Sequence, residues 1–491
     1  MADSSPYDAV LYPTRAFIQT HPDRLATLAS LFGLPAPSPA ACSVLELGCG
    51  AGGNLLPMAV ALPGSTFVGI DTSRRAIERA QATSTSLGLT NITFEQVSLT
   101  EYEPPGSVDY VIAHGVFSWV PEHVRAGLLA LCSRALSEHG VAYVSYNAMP
   151  GGHPRQALRE MLGYHVAAIP AEQPEQRMLA ARGLLHLLGA AGEADSELAK
   201  VLGPEARKLS DHVDGLFFHD TLADINHPLY FHEFVAAAGA HGLQYLTEAE
   251  FSETQLGALP EELQQALLTI PDPLRREQYL DFLKERMFRQ TLLVRDAIDL
   301  DRTPRARRLA SLAVSAPLRW GVSEQTGRTT FTGAGGAHLT TDHPLVIGAL
   351  QKIGNAWPSA PWIADLADAE EQLPAICDAL LRCFAANLVR LHRLPPAVSP
   401  VAPEKPRVSA LTRLEAAHGE MLTTTRHTGI RIDDDLGQRL IVLLDGTRDR
   451  AALIEALAPG AAMSRDELSE GLQRSLERLA GAGLLLPDAD G

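Results

Sequence analysis

One segment, VLELGCGAGGN at residues 44–54, constrains the fold of this chain more than any other. Apolar residues typical of a strand lead directly into glycines at positions 48, 50 and 52, where a ligand can approach the backbone closely. A dinucleotide-binding turn has the spacing GxGxxG, whereas this turn reads ExGxGxG, and the carboxylate of Glu46 would repel a pyrophosphate. The segment therefore predicts a strand, a glycine turn and a helix that bind a positively charged cofactor.

The alternation of strands and helices continues from residue 43 to residue 147. The candidate strands are Ser43–Leu47, Ser65–Ile70, Ile92–Val97, Tyr110–Ala113 and Val141–Tyr146. Residues 71–73 supply capping groups for a helix over Arg74–Leu87, which Gly88 ends. This βαβ pattern predicts an α/β fold with a Rossmann-like parallel sheet and helices on both faces.

Beyond Asn147 the sequence predicts a helical insertion followed by a return to the sheet. Met149–Leu209 has helical spacing, and residues 226–251 are typical of a helix and a strand. We assign residues 1–150 to the core with an N-terminal lid and residues 151–300 to the insertion, which includes that return. Within the insertion Arg275–Arg295 is predicted to be one amphipathic helix with a packed face. That face carries Tyr279, Phe282, Leu283, Met287, Leu292 and Leu293.

The remaining residues are predicted to form two smaller modules. A Pro-rich linker, Leu394–Pro406, separates a mostly helical module at 301–395 from a winged-helix-like module at 407–487. The latter is predicted to alternate short strands with helices over 429–432, 440–444, 451–457, 467–481 and 484–486. Because it is rich in aspartate, for example at residues 433–435, we expect it to contact protein and not DNA.

Composition narrows the classes of function. A chain of 491 residues is long enough for about three domains, and its formal net charge of -17 works against binding nucleic acid. Its five cysteines show no zinc-binding spacing, so no metal site is expected. The sequence shows neither a signal peptide nor a membrane-spanning run, which predicts a cytoplasmic protein without membrane insertion.

Polar residues follow the other predicted strands. A carboxylate at Glu46 suits the sulfonium and ammonium groups of S-adenosylmethionine. Asp71 is then expected to accept the ribose hydroxyls, and Ser98 with Leu99 to contact the adenine, although Asp71 is also placed to cap a helix. The last two strands end in His114, Trp119, Tyr146 and Asn147. Strand ends of this kind face the ligand, but a structural histidine and a turn-capping asparagine remain alternatives.

These residues resemble class I S-adenosylmethionine-dependent methyltransferases, and more narrowly the bacterial ones that carry a methyltransferase regulatory domain. The rickettsial outer-membrane-protein lysine methyltransferases belong to this group. The resemblance covers about residues 5 to 300 and rests on the segments LELGCGAGGN, HGVFSWVP, VSYNAMPG and HDTLADINHPLYFHEF. It implies S-adenosylmethionine as the methyl donor, protein lysine as the acceptor, and an N-terminal lid over the cofactor that includes Tyr7, Tyr12 and Thr20. Gly48, Gly50, Gly52 and Asn54 are then cofactor contacts.

The acceptor side is less constrained by the sequence. Trp119, Asn147, His219, Tyr230 and His232 are candidates to bind the acceptor, together with Asp220. A lysine must lose a proton before it reacts, and His114, Tyr146 and Glu233 are candidate proton acceptors. Two other functions remain open: methylation of a small metabolite or peptide natural product, and a non-enzymatic regulator that binds the cofactor. The oligomeric state also remains open.

Overall fold

The structure is a computed structural model that describes residue 12 and residues 14–191, 196–459 and 463–488. Five strands open its central sheet: β1 (Ser43–Leu47), β2 (Thr66–Asp71), β3 (Ile92–Gln96), β4 (Val108–Ala113) and β5 (Leu136–Asn147). Two later strands, β6 (Leu243–Glu248) and β7 (Phe288–Arg295), complete the order β3-β2-β1-β4-β5-β7-β6. Strands β1 to β5 are parallel, and β7 runs antiparallel between β5 and β6. The predicted Rossmann-like core is confirmed.

Helices cover both faces of this sheet. Those of the core are α1 (Pro22–Leu31), α2 (Leu55–Ala61), α3 (Arg74–Ser86) and α4 (Glu122–Ala135). Ser73 caps α3 by accepting the Ala76 N–H at 3.2 Å, and Gly88 follows the helix with φ +66°, as the sequence predicted. The ligand-facing ends of β1 and β2 lie side by side, because the two strands pair in parallel with Leu47 opposite Ile70.

The predicted helical insertion follows β5. It comprises α5 (His153–Val166), α6 (Pro174–Ala191) and α7 (Glu197–Ser210), and their apolar side chains form a separate core. A π-helical turn at Phe217–Thr221 then leads to α8 (Phe231–Gly239), which returns to the sheet and precedes β6. The insertion therefore leaves the sheet after β5 and returns to it through α8.

The predicted single helix over Arg275–Arg295 is wrong. After α9 (Glu261–Leu268), α10 (Pro273–Lys284) stops at Glu285, whose φ of +47° is incompatible with continuing the helix. Phe288 then begins β7, in which residues 291–294 are all buried, as expected for a strand that is covered on both faces. Tyr279, Phe282 and Leu283 on α10 are each more than 40% exposed, so the predicted packed face is also wrong.

The segment 301–395 is not mainly helical. It combines strands β8 (Ala313–Ser315), β9 (Arg319–Val322), β10 (Thr329–Thr332), β11 (His338–Thr341) and β12 (Arg390–His392) with helices α11 (Pro344–Ala356) and α12 (Leu373–Ala385). Its buried residues Ile353 and Phe384 belong to the same hydrophobic cluster as Leu25 and Phe67 of the core. Residue 300 therefore does not separate two hydrophobic cores.

The C-terminal segment has a core of its own, built from leucines of four helices and two short strands. Its elements are α13 (Ala410–Ala417), β13 (Leu422–Thr423), β14 (Gly429–Ile430), α14 (Asp435–Leu443), α15 (Arg450–Leu457) and α16 (Arg465–Gly481). The predicted run 440–444 lies mostly in α14, and 484–486 is not a strand. Within the described parts of the chain no helix is long and apolar enough to cross a membrane. The cytoplasmic location stays a prediction.

A buried ion network fastens β7 to α10 and β6. The Arg289 guanidinium donates to Asp281 at 2.8 and 2.9 Å and to Glu248 at 2.5 Å. It also donates to Glu277 at 3.1 Å and lies over the Phe231 ring at 3.9 Å. The side chain is completely buried, yet each of its nitrogens has a carboxylate partner. The network thus holds the antiparallel edge of the sheet to the helix beside it.

Candidate active site

The glycine turn after β1 has an open space at its centre. Gly48, Gly50 and Gly52 all have positive φ, at +73°, +53° and +77°. A Cβ at Gly48 would lie 2.6 Å from Val116, and one at Gly52 would lie 2.6 Å from Phe94. A Cβ at Gly50 would meet nothing within 4 Å. Packing therefore explains two of these glycines, whereas Gly50 faces space that a ligand can enter.

Asp71 joins the tips of β1 and β2. Its carboxylate accepts the Gly50 N–H at 2.9 Å and the Ser73 N–H at 2.8 Å. Each carboxylate oxygen can accept a second bond, so these contacts orient the group without exhausting it. Asp71 therefore supports the start of α3 and lies against the glycine turn, and its role toward the ribose hydroxyls stays a prediction. Ser98, after β3, has its Oγ 2.8 Å from the Thr100 hydroxyl, and its neighbour Leu99 is partly buried.

Glu46 carries an unsatisfied carboxylate oxygen beneath the turn. Its side chain is 3% exposed, and Oε1 accepts from the Asn54 amide at 2.7 Å. Oε2 makes no hydrogen bond with any described residue. Burial raises the pKa of Glu46 to about 8, and the nearby Asp71 carboxylate adds to that effect. A buried acid without a cation is the environment that a positively charged ligand would stabilise.

Asn54 connects this carboxylate to two distant parts of the chain. Its Oδ1 accepts from the Phe17 N–H at 3.0 Å, and its amide donates to Thr20 Oγ1 at 2.9 Å. The ring of His427, from the C-terminal winged-helix segment, places Nε2 2.9 Å from Asn54 Oδ1. Thr20 and Asn54 therefore support the site through Glu46. His427 lies 373 positions from Asn54, and no local pattern in the sequence could have identified it.

His114, at the end of β4, packs against aromatic residues. Its Nδ1 lies 2.9 Å from the Tyr143 hydroxyl, and its ring centroid lies 3.9 Å from that of Phe17. Burial lowers the pKa of His114 to about 4, with Arg15 adding to the effect, so the imidazole is neutral at pH 7. Phe288 is the first residue of β7, and its ring centroid lies 6.3 Å from that of His114. Sequence reasoning missed Tyr143 and Phe288; the alternation of β5 identifies the first, since residues 143 and 146 face opposite sides.

Residues of the insertion meet the N-terminal segment near these strand ends. The Tyr12 hydroxyl lies 3.4 Å from Asp220 Oδ2, and its ring lies 5.8 Å from that of the buried His219. Burial raises the pKa of Asp220 to about 6, an effect that the Tyr12 hydrogen bond opposes. The structure therefore brings Tyr12 together with two of the predicted acceptor residues. Tyr7 lies outside the described residues.

Trp119 and Asn147 hold the loop after β4 to the insertion. Arg159 of α5 lies over the Trp119 ring at 5.5 Å. Asn147 donates through Nδ2 to Asn226 Oδ1 at 2.7 Å, and its N–H donates to Ser118 Oγ at 2.8 Å. The amide of Asn147 thus has a structural partner at the strand end.

Two of the predicted proton acceptors do not lie beside His114. Tyr146 is 1% exposed in the opposite core, where it stacks on Phe234 at 4.1 Å, and burial raises its pKa far above its ordinary value. Glu233 is exposed and caps α8 by accepting the Tyr230 N–H at 2.8 Å. The structure does not bring Tyr146 or Glu233 to His114, and their role as proton acceptors stays a prediction.

Tyr230 and His232 pair with each other at the start of α8. Their ring centroids lie 5.7 Å apart, and Phe282 of α10 lies 6.2 Å from Tyr230. His232 Nδ1 also lies 2.9 Å from the Gln278 amide oxygen. These contacts place both residues against α10, and their role toward an acceptor stays a prediction.

Three family models match successive parts of the chain. A "Methyltransferase domain" matches residues 44–140, and a "Predicted methyltransferase regulatory domain" matches residues 214–295. A third, "PKMT, C-terminal winged helix domain", matches residues 404–478. Together they cover the glycine turn, the return to the sheet and the C-terminal segment.

The chain is also similar to two proteins of Rickettsia prowazekii and to a solved structure from Rickettsia typhi. One uncharacterized protein of Rickettsia prowazekii is 40% identical over 304 residues, which are 62% of this chain and 55% of that protein. A second is 32% identical over 234 residues, which are 47% of this chain and 93% of that protein. The structure of PKMT2 from Rickettsia typhi is 25% identical, with a TM-score of 0.85 over 97% of this chain and 100% of that one. The same Rickettsia typhi protein has also been solved in complex with AdoHcy. This chain belongs to the class I S-adenosylmethionine-dependent methyltransferases that carry a methyltransferase regulatory domain.

Proposed function

We propose that this protein transfers a methyl group from S-adenosylmethionine to the amine of a lysine in a protein or peptide acceptor. The observation that carries the proposal is the likeness to PKMT2, because it extends over nearly the whole chain and includes the winged-helix segment. A small-molecule methyltransferase does not require such a segment, whereas a protein acceptor offers a surface for it to bind.

The glycine turn and the residues around it are suited to the cofactor. Bound S-adenosylmethionine supplies a methyl group on a positively charged sulfur. The free oxygen of Glu46 and the open space at Gly50 fit a cationic ligand. Asp71 would accept the ribose hydroxyls, and Ser98 and Leu99 would contact the adenine.

The lid assigned to Tyr7, Tyr12 and Thr20 is the remaining part of this cofactor proposal. Thr20 hydrogen-bonds Asn54, and the Thr14 hydroxyl accepts the Gly53 N–H at 2.8 Å. The N-terminal segment therefore lies directly over the glycine turn. An aromatic residue in such a lid would also stabilise a sulfonium cation.

The residues proposed to contact the acceptor provide an uncharged wall around His114 and one carboxylate, that of Asp220. His114 is neutral, and Phe17 and Phe288 flank it, so the methyl-transfer region has an apolar wall. Asp220 becomes ionised above about pH 6 and would attract the lysine ammonium. A carboxylate at that place can also receive the proton that the amine must lose, directly or through water. Methyl transfer then depends mainly on alignment of the amine with the methyl group.

The proposal is tested with the full chain and labelled S-adenosylmethionine. A cell lysate is separated into large and small fractions, each is incubated with the enzyme, and labelled protein is hydrolysed to identify the methylated residue. We expect label in methyl-lysine. Asp220→Asn should reduce that label at least about tenfold while cofactor affinity is kept, because a charge-assisted contact to the ammonium is lost. Asp211→Asn, at an exposed position in the same insertion, is the matched control.

Two results would contradict the lysine proposal. Label recovered only in small molecules would favour a metabolite or peptide natural product as acceptor. Binding of S-adenosylmethionine with no transfer to either fraction would favour a regulator without enzymatic activity.

A further inference from the structure

A cleft of about 670 Å³ lies between the methyltransferase core, the segment 301–395 and the winged-helix segment. Its walls include Pro57 and Ala61 on α2, together with residues 390–392, 394–397, 407–411, 413 and 423–427. Its described lining includes neither the glycine turn, Asp71, Ser98 nor His114. The volume is in the range of small-molecule sites, and the cleft is separate from the proposed cofactor site.

The cleft is rich in arginine although the whole chain is acidic. Five arginines line it, and they are Arg24, Arg390, Arg407, Arg413 and Arg426. Of these, Arg24 has a carboxylate partner, Glu250, at 3.4 Å. The other four form no ion pair with the carboxylates of the described chain. In a protein with a net charge of -17, such a local excess of positive charge is exceptional.

The acidic residues of the lining do not compensate this charge. Asp23 is held by His392 Nδ1 at 2.9 Å and by two backbone N–H groups of the segment that follows. Asp445 pairs with Arg448, which is not part of the lining, at 2.5 Å. Five arginines against the three carboxylates Asp23, Glu250 and Asp445 leave the lining with an excess of positive charge, although Glu250 attracts both Arg24 and Arg390.

Three observations show that the arginine side chains are incompletely satisfied. Arg390 and Arg413 donate no side-chain hydrogen bond to any residue that the structure describes. The Nε atoms of Arg413 and Arg426 are buried without a partner. Arg426 is 9% exposed, donates through Nη2 to the Pro358 carbonyl and lies over the Trp357 ring at 3.7 Å. The positive charge of Arg390 lowers the pKa of both Arg24 and Arg426, in addition to the larger effect of their burial. Burying charged guanidinium groups without a full set of hydrogen-bond partners lowers the free energy of unfolding unless an anion binds between them.

We propose that this cleft is a second ligand site, which binds a small molecule carrying phosphate groups. The planar guanidinium fork matches phosphate oxygens, and Arg390, Arg413 and Arg426 come from two separate segments that the ligand would join. The hydroxyls of Ser409, Thr424 and Thr425 lie in the same lining, where they bond Thr412, Thr428 and the Gly483 carbonyl, and α13 begins there. A helix start and hydroxyl groups favour phosphate, which they bind together with arginine in many proteins.

The test is calorimetric titration of the full chain with pyrophosphate at constant ionic strength. We expect saturable binding with one site per chain, which Arg390→Gln and Arg413→Gln each weaken by at least about tenfold. Arg319→Gln, at an exposed position on β9 outside the cleft, should leave binding unchanged. Saturating S-adenosylmethionine should not displace pyrophosphate, because the cleft lining and the glycine turn share no residue, although His427 of the lining bonds Asn54. Citrate should bind more weakly than pyrophosphate.

The proposal is overturned if pyrophosphate does not saturate, if the cleft variants bind it as tightly as the unaltered chain, or if S-adenosylmethionine displaces it. Tighter binding of citrate would overturn the assignment to phosphate. Thermal unfolding without ligand is a second measurement. Arg390→Gln should raise the midpoint, since it removes a repulsive charge, and a lower midpoint would contradict the claim that this charge is uncompensated.

Discussion

Asp281 and Glu46 are two buried carboxylates that the chain treats in opposite ways. Asp281 is 0% exposed, and both of its oxygens accept from the Arg289 guanidinium. Glu46 is 3% exposed, but one oxygen accepts from an uncharged amide and the other has no described partner. A buried charge is tolerated where an opposite charge and hydrogen bonds surround it. The Arg289 network meets that condition within the chain, and the glycine-turn site does not.

The difference in the partners of Asp281 and Glu46 distinguishes a buried charge that stabilises the fold from one that is placed to bind a ligand. The Arg289 network holds β7 between β5 and β6, and both carboxylate oxygens of Asp281 are used within it. The glycine-turn site leaves Glu46 unsatisfied and Gly50 facing open space, so a cationic ligand is needed to complete it. The arginine-rich cleft resembles the glycine-turn site, except that its unsatisfied buried groups are positively charged and would bind an anion.

The largest effect is expected from breaking the Arg289 network. Arg289→Ala would leave Glu248 buried without a cation and Asp281 with Arg286 alone, at 3.2 Å, and the free energy of unfolding should fall by about 3–5 kcal/mol. Urea unfolding followed by circular dichroism measures this. Arg431→Ala removes an exposed ion pair with Asp433 and should change stability little. Equal stability of the two variants would show that the network is not what holds this edge of the sheet.

The next effect concerns the space at Gly50. Gly50→Val should weaken S-adenosylmethionine binding by about 100-fold or more, because a branched side chain would occupy the ligand's space. Gly88→Val is the matched control, since Gly88 also has positive φ and a Cβ there would also meet nothing within 4 Å. Calorimetry should show near-normal affinity for that control. Similar losses in both variants would mean that backbone strain, and not ligand space, is responsible.

Asp71→Ala should weaken cofactor binding by about 10- to 100-fold, as expected for the loss of charge-assisted hydrogen bonds. The same change removes the acceptor for the Gly50 N–H, so the turn itself would also be less well held. Asp109→Ala is a useful comparison, because Asp109 also accepts a backbone N–H, that of Ser43, at the other end of β1. Unchanged affinity in a folded Asp71→Ala variant would place the cofactor elsewhere.

The smallest effect is expected at His427. His427→Ala removes a neutral hydrogen bond to Asn54, and cofactor affinity should fall about 2- to 10-fold. His418→Ala, an exposed position in the same winged-helix segment, should have no effect. A KM for S-adenosylmethionine that rises while kcat is kept would identify His427 as a positioning residue. No change in KM would limit Asn54 to its contacts with Thr20 and Phe17.

The sequence predicted the parts of the site that are local in the chain. The spacing of Gly48, Gly50 and Gly52 after an apolar run, and an acid at the tip of β2, depend on one strand and one turn each. The contacts that complete the site are not local. Tyr143 could have been inferred from the alternation along β5, whereas His427 reaches Asn54 through the tertiary fold, which no local pattern in the sequence shows.

The wrong helix over residues 275–295 has a similar cause. Its apolar residues fit helical spacing, but residues 292–294 also form a short continuous apolar run, which a buried strand and a buried helix share. Pairing with β5 and β6 decides in favour of the strand, because it buries Leu292 and Leu293 and gives Arg289 its carboxylate partners. This strand pairing places the ring of Phe288 near that of His114 and leaves Tyr279 and Phe282 on α10 exposed.

The most direct test of the cofactor site is the proton balance of S-adenosylmethionine binding. Without ligand the pKa of Glu46 is about 8, compared with 4.5 for an ordinary glutamate, so the folded state holds a proton that the unfolded state loses above about pH 4.5. A cation placed beside Glu46 would lower that pKa and release the proton. Calorimetric titrations at pH 7 in buffers of different ionisation enthalpy count the protons released.

We predict one cofactor bound per chain and nearly one proton released at pH 7, with the release declining above pH 8 and lost in Glu46→Gln. Binding that releases no proton, or that Glu46→Gln leaves unchanged in both affinity and proton count, would contradict the assignment of Glu46 and the glycine turn to the cofactor.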